Sequence, residues 1–280
     1  MKNILILLTT ILISGNVWAQ KDAKYTAEDE SILSAIYEKL ESEQNKPVSE
    51  LVVLVGKEFL GTPYVAHTLE VDTEQLVVNL RELDCTTYAE NCLAIARCIK
   101  SGNTTFDNFT KQLQKIRYRN GIIDGYPSRI HYFSDWIYEN DKNGYVKDVS
   151  KPISNIEYPL EVNFMSEHPS SYKQLEDNTA FIEKMQSKEK EISGRKMYFI
   201  PKEKIKSFEP KLKEGDIVGL TTSVAGLDVT HVGILLRING RIHLMHASSK
   251  AEEVVISENT LEDYLKGSSS ATGIMVTRPM

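Results

Sequence analysis

Apolar positions fall at helical spacing early in the chain and into strand-like runs late. After the capping pattern Thr26-x-x-Asp29, residues Ile32, Leu33, Ile36 and Leu40 recur at the steps of one helix face, which predicts a first helix. A second starts at Ser49 behind Pro47, carries Leu51, Val52, Val55, Phe59 and Leu60, and is stopped by Gly61-Thr62-Pro63-Tyr64. Residues 76–80 (LVVNL) read as a short strand leading into Asp84-Cys85-Thr86-Thr87, where Asp84 or a threonine can cap a helix running to about Ile99. Cys85 is thereby expected at a helix N-terminus. Phe106, Phe109, Leu113 and Ile116 mark another helix. Residues 122–137 (IIDGYPSRIHYFSDWI) are aromatic-rich without clean periodicity and read as loop. Residues 172–192 are charged and helical, a surface insertion whose charges form a solvated face.

From Gly215 the pattern turns to strands, at 216–220, 231–238, 241–247 and 273–277. Helices first and an antiparallel sheet after them predict an α+β domain. Asn239-Gly240 is a strong hairpin signal for a two-residue turn. If Ile238 pairs with Arg241, His231 falls opposite Ser248 and Gly233 opposite His246. His231 and His246 are then diagonal neighbours on one face, roughly 7 Å apart at the backbone. His243 pairs with Leu236 on the other face, so the register selects His246 as the partner of His231.

Composition narrows the class. Of 280 residues 41% are hydrophobic, which excludes disorder, and 33 Lys plus Arg against 39 Asp plus Glu leave a net charge of −6. That balance offers no basic surplus for a phosphate backbone, so no nucleic-acid partner is expected. Three cysteines, at 85, 92 and 98, exclude a disulfide framework. Lys2, the apolar run 4–13 and Val17-Trp18-Ala19 read as a secretory signal, residues 1–19, too short in its apolar part to span a bilayer. Residues 20–280 are then expected to form one domain with insertions between about 100 and 200, secreted across the inner membrane into the periplasm, with no stable membrane anchor after cleavage.

A thiol at a helix N-terminus meets free N–H groups and the positive end of the helix dipole, which favour its thiolate. A neighbouring imidazole can take the thiol proton and later give it to a leaving amine, and a second polar group can orient that imidazole. Cys85, His231 and His246 suit these three roles, and the Cys85 N–H would face the developing oxyanion. Cys92 and Cys98 read as core. His243-x-x-His246 on a strand points to opposite faces and lacks zinc spacing, so neither metal nor cofactor is expected.

The segments Leu60-Gly61-Thr62-Pro63-Tyr64-Val65, Asp84-Cys85, Leu212-Lys213-Glu214-Gly215-Asp216-Ile217-Val218, His231-Val232-Gly233-Ile234 and His246-Ala247-Ser248 resemble, in this order, the NlpC-like cell-wall cysteine peptidases, which have a papain-like fold. The resemblance runs in pieces from about Leu51 to the C-terminus. It implies Cys85 as nucleophile, His231 as general base, His246 as its orienting residue and Tyr64 as an auxiliary near the oxyanion site. The order Cys before His departs from the permuted acyltransferase relatives. Thr86-Thr87 and Val65-Ala66-His67 replace the usual continuations of the two short motifs, which puts the family's γ-D-glutamyl endopeptidase specificity in doubt. Thr86-Thr87-Tyr88 and the stretch Gly125 through Trp136 resemble instead the N-acetylmuramoyl-L-alanine amidase-like branch, which cuts the amide between the muramyl lactyl group and L-alanine. The expected partners are therefore peptidoglycan fragments (muropeptides). Two alternatives remain, a γ-D-glutamyl-diamino-acid endopeptidase and a non-catalytic peptidoglycan-binding module. For binding, Tyr126, Tyr132 and Trp136 offer faces to sugar rings, Arg129 can pair with a peptide carboxylate, and Asp84 and Asp135 can accept hydrogens. The competing reading puts Trp136 and Phe133 in the core and pairs Arg129 with Asp135.

Overall fold

The computed structural model describes residues 23–280, so the expected leader, residues 1–19, lies outside the described residues. The N-terminal half supplies helices α1 (Ala27–Leu40), α2 (Val48–Glu58), α3 (Cys85–Ser101), α4 (Phe106–Arg117) and α5 (Phe133–Lys142). A mixed region follows, with β1 (Val146–Asp148), α6 (Ser150–Ser154), β2 (Ile156–Tyr158), α7 (Phe164–Glu167), α8 (Thr179–Ser193), β3 (Met197–Pro201) and α9 (Ile205–Phe208). The chain ends in β4 (Ile217–Thr222), β5 (Val229–Ile238), β6 (Arg241–Ser248), β7 (Glu253–Thr260), α10 (Leu261–Lys266) and β8 (Ala271–Pro279). The strands form one antiparallel sheet in the order β2-β3-β8-β4-β5-β6-β7, with β1 pairing β8. An α+β architecture of helices and an antiparallel sheet is the result.

Alternation along the strands splits the core. Val232, Ile234, Leu236, Met245 and Ala247 join the helices in one apolar cluster. Leu235, Ile242 and Leu244 face a second, closed by Leu261 and Leu265 of α10. Helix α3 is the buried centre of the first cluster: Leu93, Ala94, Ile95 and Ala96 are fully covered, as are Cys92 and Cys98.

Two glycines of the sequence motifs are steric requirements. Gly215 has φ +78°, and a Cβ there would lie 2.0 Å from the Ser49 carbonyl oxygen. Beside it Asp216 is fully buried and takes two hydrogen bonds from Arg278, 2.8 and 2.9 Å. A Cβ at Gly233 would lie 2.6 Å from the Leu244 side chain and 3.2 Å from the His246 Cβ, so its absence lets these two strands close beside the histidines.

Four local expectations change. Residues 76–80 are extended but form only an isolated bridge, Lys24 to Val77, because side chains satisfy their backbone: Arg117 donates to the Val77 carbonyl and the Leu80 N–H donates to Asp29. The expected loop 122–137 ends in helix, since α5 begins at Phe133. Residues 172–192 are helical only from Thr179, and their charges are not all solvated: Glu189, 2% exposed, accepts from the Tyr132 hydroxyl and the N–H groups of Met165 and Ser166. The region 146–201 also adds three strands to the sheet, and β7 was not legible as a strand.

Candidate functional site

Asp84 closes the start of α3. Its Oδ1 accepts from the N–H groups of Thr86 (2.9 Å) and Thr87 (2.7 Å), while the Thr87 hydroxyl bonds back to the Asp84 N–H, a reciprocal cap that fixes Cys85 as the first helical residue. The segment before it is clamped. Residues 61–64 run between the β7 edge and Leu83: Gly61 N–H donates to Val254, Tyr64 N–H to Glu252 and Leu83 N–H to Pro63. Burial, with Cys85 and Asp84 as neighbours, raises the Tyr64 hydroxyl pKa, so the hydroxyl stays protonated and can donate.

The hairpin has the register read from Asn239-Gly240. Ile238 pairs with Arg241 and Leu236 with His243. His231 Nε2 lies 2.6 Å from His246 Nδ1, with the rings nearly perpendicular at 4.7 Å. His243 instead bonds the Ser257 carbonyl. Tyr264 of α10 packs edge-on against His246 at 5.4 Å.

Cys85 and His231 line one cavity of about 200 Å³, together with Phe133, Trp136, Met165 and Leu227. The Val232 backbone, next to His231, lies near enough to the thiol to favour its thiolate, which puts the sulfur beside the strand that carries the imidazole. Burial and the Asp84 carboxylate push the thiol up to about 11, against the lowered value expected from the helix terminus alone. Burial and the neighbouring ring lower His231 to about 3, and burial lowers His246 to about 4. At neutral pH all three groups are therefore uncharged. In a neutral histidine pair one ring nitrogen must donate to the other, and with Nε2 of His231 engaged by His246, Nδ1 is its remaining nitrogen.

A second cavity, about 380 Å³, adjoins the first at Thr86, Ile130, His131 and Tyr172 and is lined further by Glu70, Arg129, Lys173 and Gln174. The residues expected to bind substrate are mostly spoken for. Trp136 is 2% exposed and stacked on Phe133 at 5.3 Å, and Tyr132, equally buried, gives its hydroxyl to Glu189, so neither presents a face to a sugar; both form cavity wall. Asp135 is fully buried between Arg119 and Arg195. Arg129 does not pair with Asp135; it binds Glu70 at 2.8 Å, with Glu74 at 3.7 Å, and lies over the Tyr126 ring at 4.9 Å. A free clamp for a peptide carboxylate is absent there, and the buried Tyr126 ring is already covered. Asp84 lines the larger cavity with its Oδ1 committed to the cap. Sequence reasoning missed His131, which borders both cavities, and Asp228, three residues before His231, whose carboxylate accepts from the Ser134 N–H at 2.6 Å and ties β5 to α5. The Asp228-x-x-His231 spacing was the available signal. Among the described residues no group of three His, Cys, Asp or Glu is placed to hold a metal ion, and no helix is long and apolar enough to cross a membrane.

The sequence matches the family model AmiA-like, described as N-acetylmuramoyl-L-alanine amidase-like, over residues 54–274. A search of curated proteins finds no match. Among solved structures, an N-acetylmuramoyl-L-alanine amidase from Bacteroides uniformis is 41% identical with TM-score 0.80, covering 83% of this chain and 99% of its own. A Bacteroides fragilis protein described as a xylanase is 44% identical with TM-score 0.77, covering 80% and 98%. A Legionella pneumophila protein shares the fold at 19% identity, TM-score 0.67, over 90% and 95%. With the family model spanning most of the chain, the protein belongs to the N-acetylmuramoyl-L-alanine amidase-like family.

Proposed function

We propose that this protein is a cysteine-dependent amidase that cleaves the bond between N-acetylmuramic acid and L-alanine in peptidoglycan fragments, on a papain-like, NlpC-like catalytic domain. The observation that carries the reading is that His231, which lines one cavity with Cys85 at the start of α3, is held by His246 at 2.6 Å.

The resting thiol keeps its proton. As the sulfur attacks the lactyl carbonyl, Nδ1 of His231 takes that proton, and the Nε2–H donated to His246 holds the ring in the required tautomer. The Cys85 N–H has no carbonyl four residues back within the helix, so it is free to donate to the tetrahedral oxyanion, with the Tyr64 hydroxyl as a second donor. The imidazolium then protonates the alanine nitrogen, which leaves with the peptide, and the lactyl group remains as a thioester. Water, deprotonated by His231, hydrolyses the thioester and restores the thiol.

A glycosidase would need two carboxyl groups about 5–9.5 Å apart across the bond. The carboxylates around these cavities are engaged otherwise: Asp84 caps α3, Glu90 binds Arg117, Glu70 binds Arg129, and Asp228 binds backbone N–H groups. The leader-like residues 1–19 fit export to the periplasm, and N-terminal sequencing of the protein recovered from the periplasm should start at Gln20. The decisive assay is mass spectrometry of a disaccharide-tetrapeptide after incubation with the wild type and with Cys85→Ala. Free tetrapeptide plus disaccharide, from the wild type alone, is expected. A disaccharide-dipeptide would move the bond into the stem peptide, and intact substrate would leave only binding.

A further inference from the structure

The neck between the two cavities is formed by Thr86, Ile130, His131 and Tyr172, and its one imidazole, His131, is not used by the proposed chemistry. Its Nε2 lies 3.0 Å from the Tyr126 carbonyl oxygen. A carbonyl only accepts, so Nε2 carries the proton and donates. The ring packs on Tyr126 at 4.4 Å, and burial together with the Arg129 and Arg119 guanidiniums keeps it uncharged. Nδ1 is then a bare lone pair, and no group among the described residues donates to it. The half-buried ring lines both cavities, which leaves this acceptor for whatever crosses the neck.

The cavities differ in chemistry. The one at Cys85 is walled by Phe133, Trp136, Met165 and Leu227, while the larger one is lined by the Glu70–Arg129 ion pair, Lys173 and Gln174, a more polar surface suited to a peptide. The acyl side of the scissile bond therefore belongs in the first and the stem peptide in the second. The scissile N–H leaves with a proton from His231, so the next donor along the peptide is the amide N–H that follows the alanine, one residue or about 3.5 Å further on. We propose that Nδ1 of His131 accepts this N–H, so that the site requires a second amide beyond the scissile one.

This inference rests on the amidase reading, and its test keeps the two apart. A muramyl dipeptide is compared with its depsipeptide, in which an ester oxygen replaces that N–H. The wild type should favour the amide in kcat/KM by about 10-fold or more, because the ester removes the donor and turns a lone pair toward Nδ1. His131→Gln can place its amide nitrogen where Nε2 stood, keeping the Tyr126 bond but nothing at Nδ1, and its preference should collapse toward unity. His131→Asn can place its amide oxygen where Nδ1 stood and should keep the preference. Calorimetric binding of both ligands to Cys85→Ala gives the same comparison without turnover. Equal handling by the wild type, or an unchanged ratio in His131→Gln, overturns the inference and leaves the amidase standing. A preference in binding without any turnover by the wild type overturns the amidase reading and keeps the acceptor, and loss of both binding and turnover overturns both.

Discussion

Replacing Asp135 by Asn should unfold the protein at lower temperature without touching substrate affinity. The carboxylate is fully buried, with Arg195 Nη1 2.6 Å from Oδ1 and Arg119 Nη2 on Oδ2, and the two arginines are only 12% and 10% exposed. They come from the end of α8 and from the turn after α4, so this one side chain joins three separate stretches of chain. Each charge-assisted hydrogen bond is worth about 1.5–3 kcal/mol, and breaking a buried pair from one side costs about 3–5 kcal/mol because charge is left uncompensated. Here two guanidiniums would face each other across a neutral amide. At about 2–4 °C per kcal/mol for a chain of this size, Tm should fall by about 10 °C. The assay is thermal unfolding of Asp135→Asn beside the wild type, with KM for a muropeptide measured well below either transition. A Tm loss under about 3 °C, or a raised KM in a fully stable variant, would refute the reasoning and return Asp135 to the binding surface.

Alkylation of Cys85 by iodoacetamide should climb through alkaline pH toward about 11 with no plateau near neutrality. Asp84→Asn keeps a capping oxygen but removes the negative charge, and should move that profile to lower pH; an unchanged profile would mean the carboxylate is not felt at the sulfur. The histidine pair also predicts acid sensitivity. Both rings have folded values below the ordinary 6.5, so the unfolded chain binds more protons as pH falls, and stability is full above about 6.5 and lost progressively below it. Denaturant titrations at pH 7 and 5 should show a shallower loss in His246→Asn, and equal slopes would contradict a neutral buried pair. Gly215→Ala meets the Ser49 carbonyl at 2.0 Å from a left-handed backbone, and should abolish soluble folded protein or lower Tm by more than 10 °C; near-native stability would show that the loop shifts freely.

What the sequence settled about this protein was local or strictly periodic. The Asp84 cap followed from the Asp-Cys-Thr-Thr order, and the meeting of His231 with His246 followed from a two-residue turn at Asn239-Gly240, because strand alternation carries a register along a hairpin without outside help. Residues 76–80 had strand composition, yet their hydrogen bonds go to Lys24, Asp29 and Arg117, partners that only folding brings together. The same holds for charge and burial. A helix N-terminus predicts a lowered thiol pKa, but how deeply the sulfur lies and how close Asp84 stands decide its sign. Arg129, Asp135 and Trp136 have side chains that bind sugars and peptides in open grooves. The tertiary structure gave them Glu70, two arginines and Phe133 as partners instead, since a polar or aromatic group taken from water must be satisfied by whatever the chain folds against it.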